Sequence, residues 1–291
     1  MTDLLQDVRK YYDRNTRHFQ RHGQSGLSIH RAVWGPGVAT RDAAVHFVDD
    51  LILAELGDLG PQPKVLDMGC GVGASLLYLT RRFPIIGEGV TISPLQAAHA
   101  AELFEREGVT VLRCRHGNFL ALPADVHDID LAFSVEAFVH TPDVAGYFSE
   151  AARVVRPGGR LVICDDFLTQ RASIDPSAKE REWLQEFRAG WKIGSLVTVD
   201  NACEAAHSVG FKLNRVLDLT AFLELRRPRD ILISILVSIG KYLEFHGGDY
   251  WSALTGGNAL QLAIGSGAVG YQYLVFERAA DPMEALAKPH A

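Results

Sequence analysis

The chain has 291 residues, 47% of them hydrophobic and 22% charged, with a formal net charge of −6. That is ordinary for a soluble globular protein, long enough for one large α/β domain or two small ones, and the acidic balance argues against bulk nucleic-acid binding. Cys70, Cys114, Cys164 and Cys203 are scattered, with no C-x-x-C pair and no histidine at ligand spacing, so neither a zinc site nor a disulfide framework is expected.

The opening "MTDLLQDVRK" lacks the basic start, apolar run and cleavage site of a secretory signal. Leu4, Leu5, Val8, Tyr11, Tyr12 and Phe19 fall at helical spacing, which predicts an amphipathic helix in need of a surface to cover. From residue 64 strand and helix signals alternate. "KVLDMGC" reads as a strand, "ASLLYLTRRF" as a helix and "PIIGEGVTIS" as a second strand. Ser93 then caps a helix with Pro94 in its first turn and Gly108 at its end. "VTVLRCR" and "DIDLAFSV" are strands three and four, "DVAGYFSEAARVV" a helix, and "RPGGRLVICDDF" a turn and fifth strand. A helix and sixth strand follow in 198–220, and "VGYQYLVFER" (269–278) is the last strand.

This alternation predicts an α/β, Rossmann-like, doubly wound fold with a seven-stranded, mostly parallel sheet. Residues 1–60 are expected to form a helical cap, 61–167 the ligand-binding core, and 168–291 the rest of the sheet with helical lids inserted at 168–197 and 221–266. All four tryptophans, Trp34, Trp183, Trp191 and Trp251, lie outside 64–167. They serve either to dock the added helices or to build an aromatic lid. The most apolar stretch, "ILISILVSIG" (231–240), is about half the ~20 residues of a bilayer span, so a cytoplasmic protein without a membrane span is expected.

The glycine loop carries the most chemistry. Asp67-x-Gly69-x-Gly71-x-Gly73 puts a carboxylate ahead of the glycines, with Ala74 where a dinucleotide fingerprint has its third glycine. A carboxylate there suits a cationic ligand group better than a phosphate. The pattern resembles class I S-adenosylmethionine-dependent methyltransferases, and four later elements agree in order: "GVTISPLQ", "HGNFLALP", "SVEAFVHTPD" and "RVVRPGGRLVICDD". The resemblance implies S-adenosyl-L-methionine as cofactor, contacted by Asp67, Gly69, Cys70, Gly71, Thr91, Ile92, Gln96, Asn118, Phe119 and Glu136. Thr91 replaces the ribose-binding acid of most members, and Asn118 stands where an aspartate meets the adenine amino group.

"TISPLQ" and the lead-in "YYDRNTRHFQRHGQSGLSIHRAVWGPG" (11–37) are similar to the sterol and tocopherol C-methyltransferase branch. Within it, the chain resembles bacterial secondary-metabolite C-methyltransferases acting on prenyl chains. It is more like those that methylate a neutral terpenoid alkene before ring closure than those that take a prenyl diphosphate with magnesium. Arg14, Arg17, Arg21 and His22 could meet phosphate, but they also fit a solvated helix face. The resemblance thus implies C-methylation of a hydrophobic alkene. Candidate catalytic residues are His140, Glu136, Asp166 and Tyr12, and candidate substrate contacts are Tyr11, Tyr12, Trp34, Phe167 and Trp251. His140 is either a base or a loop cap, and adjacent Asp165 and Asp166 in a strand are expected to point apart, leaving one for the site. An O-methyltransferase for a sugar or phenol is the alternative. A small hydrophobic partner and a homo-oligomer, formed through the N-terminal helix, complete the expectations.

Overall fold

The computed structural model describes residues 6–10, 12–13, 30–243 and 248–280. Seven strands form one sheet in the order β3-β2-β1-β4-β5-β7-β6. They are β1 (Lys64–Met68), β2 (Ile86–Thr91), β3 (Leu112–His116), β4 (Ile129–Val135), β5 (Val155–Leu168), β6 (Phe211–Asp218) and β7 (Val269–Arg278). β1 to β5 run parallel, and β7 enters antiparallel between β5 and β6. Central strands such as β1 and β4 are buried on both faces because helices cover both sides, as parallel sheets require.

The helices are α1 (Arg41–Ala54), α2 (Ala74–Thr80), α3 (Pro94–Arg106), α4 (Val144–Val154), α5 (Gln170–Ile174), α6 (Ala178–Trp191), α7 (Val199–Ser208), α8 (Pro228–Tyr242) and α9 (Asp249–Gly265). α3 starts as its sequence dictates: Ser93 Oγ accepts from the Gln96 amide and Pro94 occupies the first turn. One face of the sheet packs Ile52, Leu76 and Phe104 against Val65 and Tyr273. The other packs Tyr147, Phe148 and Ala202 against Leu66, Ile163 and Phe276.

The chain reverses direction across the sheet at β1 and β4, whose carboxyl ends therefore frame the crevice where such folds bind ligands. Over that edge, the two late insertions come together. α6 and α9 touch backbone to backbone: a Cβ on Gly190 would lie 2.4 Å from the Ser252 carbonyl oxygen. Trp191 seals the contact by donating from Nε1 to the Ala253 carbonyl at 3.0 Å. The run 231–240 lies within α8, with Ile231, Leu232, Ile235, Leu236 and Ile239 about half exposed. Among the described residues no helix is long and apolar enough to cross a membrane.

The expectations for Leu4, Leu5, Tyr11, Phe19 and the Arg14, Arg17, Arg21 and His22 cluster lie outside the described residues. Of the predicted N-terminal helix, residues 6–10 and 12–13 are helical, and Val8 is buried at 4% exposure against the crevice.

Candidate active site

β1 ends at Met68, and the next residues form a loop that glycine alone tolerates well. Gly69, Gly71 and Gly73 have φ of 122°, 53° and 78°. A Cβ on Gly69 would lie 2.4 Å from the Cβ of Ala137, so the loop presses directly on the chain leaving β4. Between them opens a cavity of about 680 Å³. Gly69, Cys70, Gly71, Thr91, Ile92, Gln96, Phe119 and Ala137 line its sheet side, and Trp191, Leu223, Leu225, Ile233, Tyr250, Leu254 and Ile264 line its lid side. Thr91 Oγ1 donates to Gln96 Oε1 at 2.8 Å, which holds Gln96 across the loop.

The wall beyond β4 and β5 is acidic, with one cation in its middle. Glu136 sits at φ 53°, a left-handed conformation costly for a non-glycine residue and seen where surroundings over-determine it. Arg31 supplies that constraint. Its backbone amide (3.0 Å) and Nε (3.1 Å) both donate to Glu136 Oε1, while Nη1 and Nη2 donate to Asp166 Oδ1 and Oδ2 at 2.9 Å each. The Tyr271 hydroxyl donates to the same Glu136 oxygen at 2.9 Å, and the Arg31 guanidinium lies 4.1 Å from the Tyr271 ring centroid. Burial works against the Glu136 charge, but Arg31 and His30 overcome it and hold this carboxyl below its usual range. Burial dominates at Asp166 and raises its pKa despite Arg31.

Asp165 also reaches the cavity wall, so both neighbours contribute to it. The two nonetheless point apart: Asp165 lies on the face of β5 with Leu161, Ile163 and Phe167, and Asp166 on the face with Val162 and Cys164, turned to Arg31. Asp165 Oδ2 accepts from the Val139 amide at 3.1 Å. Its pKa is pushed well up by burial and then by Asp166. Two carboxylates thus share one guanidinium, while Asp165 is held by the backbone amides of Val139 and Asp166.

His140 and Tyr12 meet on the lid side. Tyr12 Oη lies 2.8 Å from His140 Nε2, and His140 Nδ1 lies 3.2 Å from the Lys192 carbonyl oxygen. A carbonyl only accepts, so Nδ1 carries the proton and Nε2 accepts from the tyrosine. Burial holds the His140 pKa down to about 4, which makes it a neutral imidazole at physiological pH.

Several sequence candidates stand elsewhere. Asp67 is buried behind the glycine loop rather than on the cavity wall, its pKa pushed well up by burial and by Asp49. Asn118 turns its side chain back on its own loop, Oδ1 accepting from the Leu120 amide at 2.9 Å, instead of facing the cavity. Trp34 packs with Ala32, Ala44 and Val45, away from the wall. Phe167 stacks on Phe138 at 5.9 Å in the opposite sheet layer. Trp251 lies over Gly240, where a Cβ would come within 2.2 Å of its ring, and so joins α8 to α9 instead of lining the pocket. Tyr11 lies outside the described residues. Arg31 and Tyr271 were not singled out from sequence: their partners lie 105 to 135 residues away, and no local pattern marks them.

Residues 66–163 match the methyltransferase domain family. A sterol 24-C-methyltransferase of Gibberella zeae is 27% identical over 215 residues, 74% of this chain and 55% of that protein. The chain thus spans about half the length of the curated relatives it matches. Among solved structures, a geranyl diphosphate C-methyltransferase from Streptomyces coelicolor A3(2) superposes with a TM-score of 0.70 at 19% identity, covering 96% of this chain and 99% of that one. A cyclopropane synthase from Mycobacterium tuberculosis gives 0.74 at 20%, covering 94% and 98%.

Fold, loop and sequence relatives define a class I S-adenosylmethionine-dependent methyltransferase domain. Within that class the chain is similar to sterol C-methyltransferases, and its cofactor is S-adenosylmethionine. The residues fit it. The glycine cradle admits a ligand against backbone, and Glu136, whose carboxyl Arg31 and His30 hold ionised on the cavity wall, suits a ligand that carries cationic groups.

Proposed function

We propose that the protein methylates an alkene carbon in a prenyl or terpenoid chain of a secondary metabolite, with a neutral hydrophobic molecule as substrate. The observation that carries this reading is the Tyr12–His140 pair. An oxygen nucleophile needs a base whose pKa lies near the working pH. His140, at about 4, is a weak base, and Glu136 and Asp166 are occupied by Arg31. An alkene needs no deprotonation before attack.

When bound, S-adenosylmethionine supplies an electrophilic methyl group on a sulfonium. The residues of this chain do the rest. Gly69, Gly71 and Gln96 would hold the cofactor, and the apolar lid side, with Leu223, Leu225, Ile233, Leu254 and Ile264, would hold the prenyl chain in line and exclude water. Attack by the alkene π pair would form the new carbon–carbon bond, with the electrons of the broken methyl–sulfur bond leaving on the thioether and positive charge developing on the adjacent substrate carbon. Tyr12, Trp191 and Tyr250 offer aromatic faces to that charge, each worth about 0.5–2 kcal/mol. Such a cation is a strong acid, so even a weak acceptor suffices. The Tyr12 oxygen takes the proton while passing its own to His140 Nε2, and the double bond reforms, before or after ring closure.

Incubation with methyl-labelled S-adenosylmethionine and a panel of prenyl diphosphates, prenylated indoles or phenols, and glycosides tests this. Label on a prenyl carbon is expected. Label confined to oxygen of a glycoside or phenol overturns the reading in favour of an O-methyltransferase.

A further inference from the structure

The lid helix α9 turns one face to the cavity, with Tyr250, Leu254, Asn258, Gln261 and Ile264 recurring at helical spacing. Asn258 is the polar residue in the middle of that face, only 9% exposed. The other polar groups of the lid side that are buried or half-buried already have partners. Gln261 Oε1 accepts from the Arg226 amide at 3.1 Å. Arg227 Nε donates to Asp230 Oδ2 at 2.8 Å, and Arg41 pairs with Glu224 at 3.3 Å. Arg229 is exposed at the start of α8, where water serves it. No hydrogen bond to the Asn258 side chain is formed by any described residue, and its amide opens onto the cavity.

We infer that Asn258 is a specificity-determining residue that binds an uncharged hydrogen-bonding group of the acceptor: a carbonyl, an amide or a hydroxyl. This rests on the prenyl-acceptor reading above and deepens it. An asparagine amide offers two donors and an acceptor without net charge, and a buried polar group left unmatched is costly, so a site carries one where a ligand completes it. A charged substrate head would need a counter-charge beside it; Arg41 and Arg227 are already paired with Glu224 and Asp230, and Arg229, the remaining lid-side cation among the described residues, is exposed to water. The acceptor is therefore an amphiphile, with a prenyl chain toward the glycine loop and a neutral polar head against α9.

The test uses the full chain saturated with S-adenosylhomocysteine and measures affinity for 4-geranylphenol, geranylbenzene and geranyl diphosphate by calorimetry. The wild-type protein should bind the phenol about 10-fold or more tightly than the benzene, since a site built for a polar group rejects the analogue lacking it. Asn258→Leu and Asn258→Ala should both abolish that difference, with the affinity for S-adenosylhomocysteine unchanged and the melting temperature of Asn258→Leu equal or raised. A wild-type protein that does not distinguish phenol from benzene overturns the inference, as does a preference retained in both variants. Tighter binding of geranyl diphosphate than of the phenol overturns it too, while leaving C-methylation intact. Failure to bind any of the three overturns the prenyl reading itself.

Discussion

Arg31 and Asp166 meet as a two-pronged pair across 135 residues of sequence, Nη1 to Oδ1 and Nη2 to Oδ2 at 2.9 Å each. The same guanidinium, through Nε, holds Glu136 at its left-handed turn. One cation therefore fixes the ends of β4 and β5 relative to each other and to the segment ahead of α1. Its own pKa rises further, because Asp166, Glu136 and Tyr271 outweigh the burial that opposes its charge.

Removing it should cost stability more than a surface ion pair would. Breaking a buried pair typically costs about 3–5 kcal/mol, since the abandoned carboxylate stays buried. The Arg31 side chain is 21% exposed, so the lower end, about 3 kcal/mol, is expected for Arg31→Met in urea unfolding. Arg31→Lys keeps the charge but cannot span both oxygens, and should fall between the two. Equal midpoints for the three chains would show that the pair does not hold the site together.

The glycine loop predicts a loss of binding that is separable from a loss of fold. Gly69→Ala puts a Cβ into the space of Ala137 and forces a side chain onto a φ of 122°. Affinity for S-adenosylhomocysteine should fall by about 10-fold or more, a loss of roughly 1.4 kcal/mol. Far-ultraviolet circular dichroism should be unchanged. Unaltered affinity would place the ligand away from this loop.

Asp67 gives a prediction with a definite sign. Burial and then Asp49 raise its folded pKa well above 3.8, so above that pH the folded state holds more protons than the unfolded one. Its contribution is present below the unfolded pKa and is lost as pH rises through the folded value. The stability of the cofactor-free wild type should therefore drop, relative to Asp67→Asn, as pH rises from about 4 toward neutrality. Urea unfolding of both chains across that range measures it, and a constant difference contradicts the assignment.

Much of the fold was legible because its signals are local. Ser93, Pro94 and Gly108 mark the ends of a helix within sixteen residues, and "VGYQYLVFER" is strand β7 to the residue. The glycine loop was legible for the same reason: backbone conformation at Gly69, Gly71 and Gly73 is written in the residues themselves. What escaped was contact between distant segments. Trp34 and Trp251 look like pocket aromatics in sequence, yet one fills the space beside Ala44 and Val45 and the other covers Gly240. Trp191 reaches the cavity because Gly190 and Gly256 let α6 and α9 approach, a relation that no single window contains. Burial of Asp165 together with Asp166 likewise depends on how far β5 runs and on what β7 lays beside it.

Two close-packed glycines make Trp191 sensitive to its setting. Gly256→Val would bring a side chain against Trp191 Cδ1, which an added Cβ alone already approaches to 2.8 Å. Overpacking of this kind costs about 1–3 kcal/mol. The variant should lose acceptor affinity while keeping S-adenosylhomocysteine affinity, since the lid side moves and the glycine loop does not. Parallel loss of both ligands would mean that lid and loop are one cooperative unit.

The pH dependence of turnover separates the alkene from the oxygen nucleophile. His140 falls from 6.5 to about 4 because burial disfavours its charged form, an effect that the Lys192 carbonyl and Glu136 only partly offset. It is therefore already neutral throughout the range from about pH 5.5 to 8 in which a general base for oxygen would show an activity limb. Turnover of a prenyl acceptor should be flat over that range, and His140→Phe should lower kcat by about 10²-fold without adding a limb, because the lost step is proton removal after methyl transfer. The variant should also release a different mixture of alkene isomers, as the cation loses its proton elsewhere or to water. Stability moves in the matching direction. With the folded pKa depressed, the His140 contribution is complete above 6.5 and is lost as pH falls toward 4. A wild-type kcat rising steeply through pH 6 to 7, abolished together with activity in His140→Phe, would instead identify a base acting on an oxygen nucleophile and remove the alkene mechanism.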